Sequence, residues 1–197
     1  MNNLYNPQLT KRVIIGTKSK SRRVLFKSLG LDFKYISPNI DEKNVADLNN
    51  DKFDAIKIAA AKARNLSAIN KNKLIVTFDT TILFQKKTVY KCDSPECCIK
   101  LLNSFSNKKH LLYTGMIFMI NNKIIQKKLT ATNIYFKKNH KKKIRNYVLE
   151  NFKQIKSAVG CYNLEGAGID LFDNICSNYF NVLGLDIINF LKLIRKI

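Results

Sequence analysis

Three apolar runs, residues 13–15, 74–78 and 111–120, are separated by segments whose apolar residues recur every three or four positions. Short apolar runs suit strands buried in a sheet, and the intervening periodicity suits helices lying on that sheet. The alternation predicts an α/β fold built in layers. Residues 111–120 and 123–136 flank the turn pair Asn121-Asn122 and read as a long β-hairpin. A hairpin adds antiparallel strands, so the sheet is expected to be mixed.

Further helices are predicted over residues 21–29, ended by Gly30, over 52–69, from 95 to about 103, over 141–150 and over 185–197. Ser94 and Pro95 supply an N-cap and a first helical residue for the third of these. Residues 33–36 and 169–172 read as short strands, and 39–50 as a polar loop. No repeat and no linker rich in Gly, Pro or Ser interrupts the chain, which reads as one domain over residues 1–197. A hydrophobic content of 46% excludes a disordered chain. No apolar run approaches the ~18 residues of a membrane span. Residues 1–11 carry no apolar core of an export signal, so a cytoplasmic protein is expected.

Five cysteines, Cys92, Cys97, Cys98, Cys161 and Cys176, form no C-x-x-C pair, and their number is odd. Neither a disulfide framework nor, with only His110 and His140 as imidazole ligands, a zinc site is expected from this spacing. The net charge of +21 invites a nucleic-acid reading. The excess is mostly lysine, accompanied by abundant Asn and Ile, which is the drift expected of an A+T-rich genome. Lys137, Lys138, Lys141, Lys142 and Lys143 are the run that a nucleic acid would contact, without the repeated aromatic interleaving of a stacking surface.

Four clusters carry candidate chemistry. Residues 16–23, with Thr17, Ser19, Ser21, Arg22 and Arg23, lie between a buried strand and a helix start, where amides, hydroxyls and guanidinium groups favour an anion. It is no Walker loop, because the G-x-x-x-x-G-K-[ST] pattern is missing. Asp41-Glu42 and Asp79 are acidic, and Asp79 follows an apolar run directly, as a strand-end carboxylate opening into a ligand crevice would. Lys62, near the apolar side of a helix, and Lys91 are point charges within reach of phosphate. Residues 160–168 hold three of the chain's seven glycines around Glu165.

In this order the clusters resemble the Maf family of nucleotide pyrophosphatases. The correspondence runs from the loop at Gly16 to Arg23 through Asp41-Glu42, Lys62-Ala63, Asp79, Lys91 and Thr114-Gly115 to residues 162–168 and 181–185. The resemblance implies a Maf and ITPase-like architecture: an elongated, mixed, twisted sheet with flanking helices and two lobes around a deep cleft. It implies hydrolysis of a nucleoside triphosphate between its α and β phosphates, a divalent cation (Mg or Mn) held by Glu42 and Asp79, and a homodimer. Asp79 would be the proton acceptor, with Glu42, Arg22, Lys62 and Lys91 completing the catalytic set. Thr17, Ser19, Ser21, Thr80 and Glu165 would meet the substrate.

Glu165 resembles the subgroup acting on 7-methyl-GTP, where the pyrimidine subgroup acting on dTTP and UTP carries Gln. A carboxylate only accepts hydrogen bonds. The guanine edge offers two adjacent donors, and methylation makes the purine cationic. Ser21 stands where that subgroup has Trp, and Thr80 matches the pyrimidine subgroup. The family's Gly-Lys-Pro and Gly-Leu-Pro are Tyr90-Lys91-Cys92 and Gly184-Leu185-Asp186 here. The competing readings are the dTTP/UTP activity, a basic nucleic-acid-binding protein, and a relative that binds nucleotide without turnover.

Overall fold

The computed structural model describes residues 7–45, 49 and 51–196. Its elements run α1 (Pro7–Arg12), β1 (Val13–Gly16), α2 (Lys20–Ser28), β2 (Lys34–Ile36), α3 (Asp54–Ile69), β3 (Leu74–Phe84), β4 (Lys87–Val89), α4 (Pro95–Phe105), β5 (Lys109–Ile120), β6 (Lys123–Phe136), α5 (Lys141–Ile155), β7 (Phe172–Cys176), α6 (Tyr179–Val182) and α7 (Ile187–Ile194). Seven strands form one mixed sheet in the order β2-β1-β3-β5-β6-β7, with β4 beside β3. The pairs of β1 with β2 and β3 are parallel, and the others are antiparallel. None of the described helices is long and apolar enough to cross a membrane.

The apolar runs pack into two regions with a polar belt between them. Val76 and Phe78 of β3 and Met116 and Phe118 of β5 join Phe26, Phe33 and Phe190 in one cluster. Phe26 and Phe190 lie 4.9 Å apart, centroid to centroid, and such pairs contribute ~0.5–1.5 kcal/mol beyond burial. Farther along the same strands, Ile82 and Leu112 join Leu102, Phe105, Ile144 and Tyr162 in a second cluster. Between the two, on the same face, lie Thr80 and the buried Thr114, which pair across β3 and β5. On the other face, Ala59, Ala60 and Ala63 let α3 sit close against Ile75 and Ile117. Gly115 is required there, because a Cβ on it would strike the carbonyl of Ala55.

Several sequence expectations are corrected. The strand from residue 74 continues to Phe84, since Ile82, Leu83 and Phe84 pair with β4. Asp79 therefore lies mid-strand. Residues 169–172 split between a 3-10 turn, Ala167–Leu171, and β7. The last helix is shorter than residues 185–197 because Asp186 caps it, accepting from the Asn189 amide at 3.1 Å; Ile197 lies outside the described residues. In the expected loop 39–50, Asp41 caps a single turn, Glu42–Asn44. Residues 46–48 and 50 lie outside the described residues. A disulfide joins Cys92 to Cys97, against expectation. Ser94 and Pro95 start α4 at once, so its first turn carries Cys97 back over Cys92.

Candidate active site

Strand β3 has two unequal edges. One pairs continuously with β5, from Ile75↔Met119 to Leu83↔Leu111. The other is shared: β1 covers it up to Thr77, and β4 resumes at Ile82. The stretch from Phe78 to Thr81 is left without a strand neighbour on that side, and this opening holds the candidate site. A backbone carbonyl in such a gap needs another donor. Arg22 supplies one, its Nη1 reaching the Phe78 carbonyl at 3.5 Å.

On the α3 face, Lys62 clasps two carboxylates. Its Nζ lies 2.5 Å from Asp79 Oδ1 and 2.6 Å from Glu42 Oε1. Glu42 Oε2 accepts from Lys91 Nζ at 3.2 Å. Burial raises the Glu42 carboxyl, but Lys62 and Lys91 outweigh it and bring the pKa down to about 2. Burial dominates at Asp79, whose pKa stays raised although Lys62 and Arg22 oppose the shift. Two acids in one cluster are thus driven apart, Glu42 held ionised and Asp79 made more basic.

On the other face, the partly buried guanidinium of Arg22 is fixed by three acceptors. Nε donates to the Gly184 carbonyl at 2.6 Å, Nη2 to Thr80 Oγ1 at 3.1 Å, and Nη1 to Phe78. Burial lowers its pKa to about 10, with Asp79 and Glu42 acting in the opposite direction, so it stays charged at neutral pH. Gly184 has φ +82, and a Cβ there would sit 3.0 Å from Arg22 Nη2. Thr80 shares a hydrogen bond of 3.0 Å with Thr114, whose hydroxyl reaches the Asn181 carbonyl at 3.4 Å.

Glu42, Lys62, Asp79, Lys91, Arg22 and Thr80 converge on this opening. Glu165 comes to the start of α2, where Ser21 Oγ donates to its Oε2 at 2.9 Å. Thr17 and Ser19 are turned to local work. Thr17 Oγ1 accepts from the Ser19 amide at 3.1 Å, and Ser19 caps α2 through the Arg22 amide. Asp41 bonds its own turn. Thr114 and Gly184 join the site without having been expected there, although both lie in the family-like runs Thr114-Gly115 and 181–185. Of the basic run, Lys137 and Lys143 meet on Asp170 at 3.2 and 2.8 Å.

Fold and sheet opening together define a mixed α/β protein with paired carboxylates ringed by cations. The Maf-like protein family matches residues 12–197, and the chain belongs to that family. It is 28% identical to a nucleoside triphosphate pyrophosphatase of Ruegeria pomeroyi, across 94% of this chain and 97% of that one. It is also 28% identical to a dTTP/UTP pyrophosphatase of Fusobacterium nucleatum, across 94% and 95%. A 7-methyl-GTP pyrophosphatase of Rhizobium johnstonii matches at 28% identity, across 96% and 98%.

Proposed function

We propose that the chain is a hydrolase of acid anhydrides that cleaves a nucleoside triphosphate between its α and β phosphates, with 7-methyl-GTP as its substrate. The observation that carries the hydrolytic reading is the Lys62 clasp, which draws one oxygen each from Asp79 and Glu42 to a single cation. Asp79 takes the proton of the attacking water, and a carboxyl raised above its usual range suits a general base. Arg22, Lys62 and Lys91 balance the triphosphate charge, which is most of what such a transfer requires.

The donor set also fits a hard divalent ion such as Mg or Mn. Lys62 Nζ shows that one cation can meet both carboxylates, and carboxylate oxygens are the ligands these ions prefer. Glu42 and Asp79 would hold it, and when bound it would polarise the phosphate oxygens. For the base, the supporting observation is Glu165 hydrogen-bonded to Ser21, the residue before Arg22. An acceptor there favours a cationic purine with two adjacent donors.

Purified protein given Mg or Mn and a panel of triphosphates should release pyrophosphate, fastest from 7-methyl-GTP. Asp79→Asn should lower turnover by ~10² or more while the fold survives. Absence of pyrophosphate with every nucleotide would sink the hydrolytic reading, and fastest release from dTTP or UTP would assign the chain to the pyrimidine specificity.

A further inference from the structure

Four of the five cysteines converge at one place from three separate parts of the chain. Cys92 follows β4, Cys97 and Cys98 lie in the first turn of α4, and Cys161 follows α5. The sulfur atoms of Cys92, Cys98 and Cys161 all lie within 4.8 Å of one another, and all three residues are buried. Cys97 is bonded to Cys92 and is exposed, so its sulfur sits at the edge of this buried set of three. A disulfide needs two sulfurs. It gives no reason for two further thiols, each 0% exposed, at the same point.

From this convergence we infer a second metal centre, separate from the hydrolytic site, in which the thiolates of Cys92, Cys98 and Cys161, joined by Cys97 once its bond to Cys92 is opened, hold one soft divalent ion of the zinc class. Thiolates around zinc at ~2.3 Å put neighbouring sulfurs ~3.8 Å apart, about 1 Å inside the 4.8 Å that bounds the Cys92, Cys98 and Cys161 sulfurs here. Thiolate sets select zinc over Mg or Mn. The surroundings are apolar, with Leu102, Phe105 and Tyr162 in the same cluster. Cys97 is exposed and gives a reductant and the ion their way in.

The disulfide state is the empty form of this centre. Opening Cys92–Cys97 takes two electrons and two protons from a dithiol, which leaves as its own disulfide. Each thiol then releases its proton to solvent on meeting the ion. Cys92 directly follows Lys91, and Cys161 precedes Glu165 on the same loop. The ion therefore ties together two loops that, on the functional reading above, border the cleft.

The test is made on the full chain without nucleotide, so its result is independent of any hydrolysis. Protein reduced under argon is titrated with Co²⁺ alone. The expected result is a sulfur-to-cobalt charge-transfer band that saturates at about one ion per chain and is displaced by Zn²⁺. The band should be lost in Cys98→Ser, weakened in the exposed Cys97→Ser and retained in Cys176→Ser, whose cysteine lies on β7. Absence of the band in reduced wild-type protein overturns the inference without recourse to any variant. A band that survives both Cys97→Ser and Cys98→Ser overturns it equally.

Discussion

Lys62 Nζ donates to Asp79 Oδ1 at 2.5 Å across the face of β3 that α3 covers. The Asp79 pKa is raised by burial and pulled back by this lysine. Lys62→Met removes the pull and leaves the burial, so the Asp79 pKa should climb further. A base must be ionised to work. The acid limb of kcat/KM should therefore move to higher pH, with turnover at neutral pH down by ~10-fold or more. A pH–rate profile checks this, and a limb that stays where it was in the wild type would detach Asp79 from the proton step.

Arg22 acts as a fork. It reaches the Gly184 carbonyl, Thr80 Oγ1 and the Phe78 carbonyl at once, and a lysine cannot reproduce that planar spread. Arg22→Lys should raise KM for triphosphate by ~10-fold. It should also lower stability by about 1–3 kcal/mol, because carbonyls in the sheet opening lose a charged donor. Gly184→Ala tests the same contact from the other side. A residue with a Cβ at φ +82 costs about 1–2 kcal/mol, and the added carbon presses on Arg22 Nη2, so KM should rise with Arg22 itself intact. Urea titration and steady-state kinetics read both effects.

The parts legible in the sequence were those with a local signature. Apolar runs located β1, β3 and β5, and Ser94-Pro95 located the start of α4, because pattern and capping act within a few residues. Asp79 was legible as the residue after an apolar run. Its mid-strand position was not, since β3 is prolonged by its pairing with β4 and β5, a tertiary effect. Lys62 was legible as a charge near the apolar side of its helix and through the family resemblance, but not as the partner of two carboxylates. That clasp is created by the packing of α3 on β3 together with the turn that carries Glu42. The cysteine cluster was invisible for the same reason: Cys92 and Cys161 are far apart along the chain.

Asp186 stands where the family pattern has Pro and is 2% exposed. Burial raises its carboxyl, but hydrogen bonds from Thr130 and Asn189 outweigh that and leave the pKa lowered. A carboxyl with a lowered folded pKa stabilises the fold above its unfolded pKa of ~3.9 and loses that contribution as pH falls through the folded value. Asp186→Ala should therefore cost about 1–2 kcal/mol at neutral pH, the scale of a lost N-cap. The gap between variant and wild type should narrow below about pH 4. Urea melts at neutral and acid pH measure it; a gap independent of pH would mean that packing, and not the charged cap, is what Asp186 supplies.

Glu165 accepts a hydrogen bond from the hydroxyl of Ser21 at 2.9 Å. A hydroxyl can turn to a new acceptor, so the carboxylate can release it and take the two donors of a guanine edge. Glu165→Gln keeps the size of the side chain, removes its charge and turns one acceptor into a donor. Against 7-methyl-guanine this places donor against donor and removes the partner of a cationic ring. Against uracil, whose single donor is flanked by acceptors, it is tolerated. Hydrogen bonds to charged groups contribute about 1.5–3 kcal/mol, so kcat/KM for 7-methyl-GTP relative to UTP should fall by ~10- to 100-fold. Ser21→Ala should leave that ratio near its wild-type value, because it removes only the resting partner. If Glu165→Gln leaves the ratio unmoved while Ser21→Ala shifts it, the base is read by the hydroxyl and the carboxylate serves only to orient it.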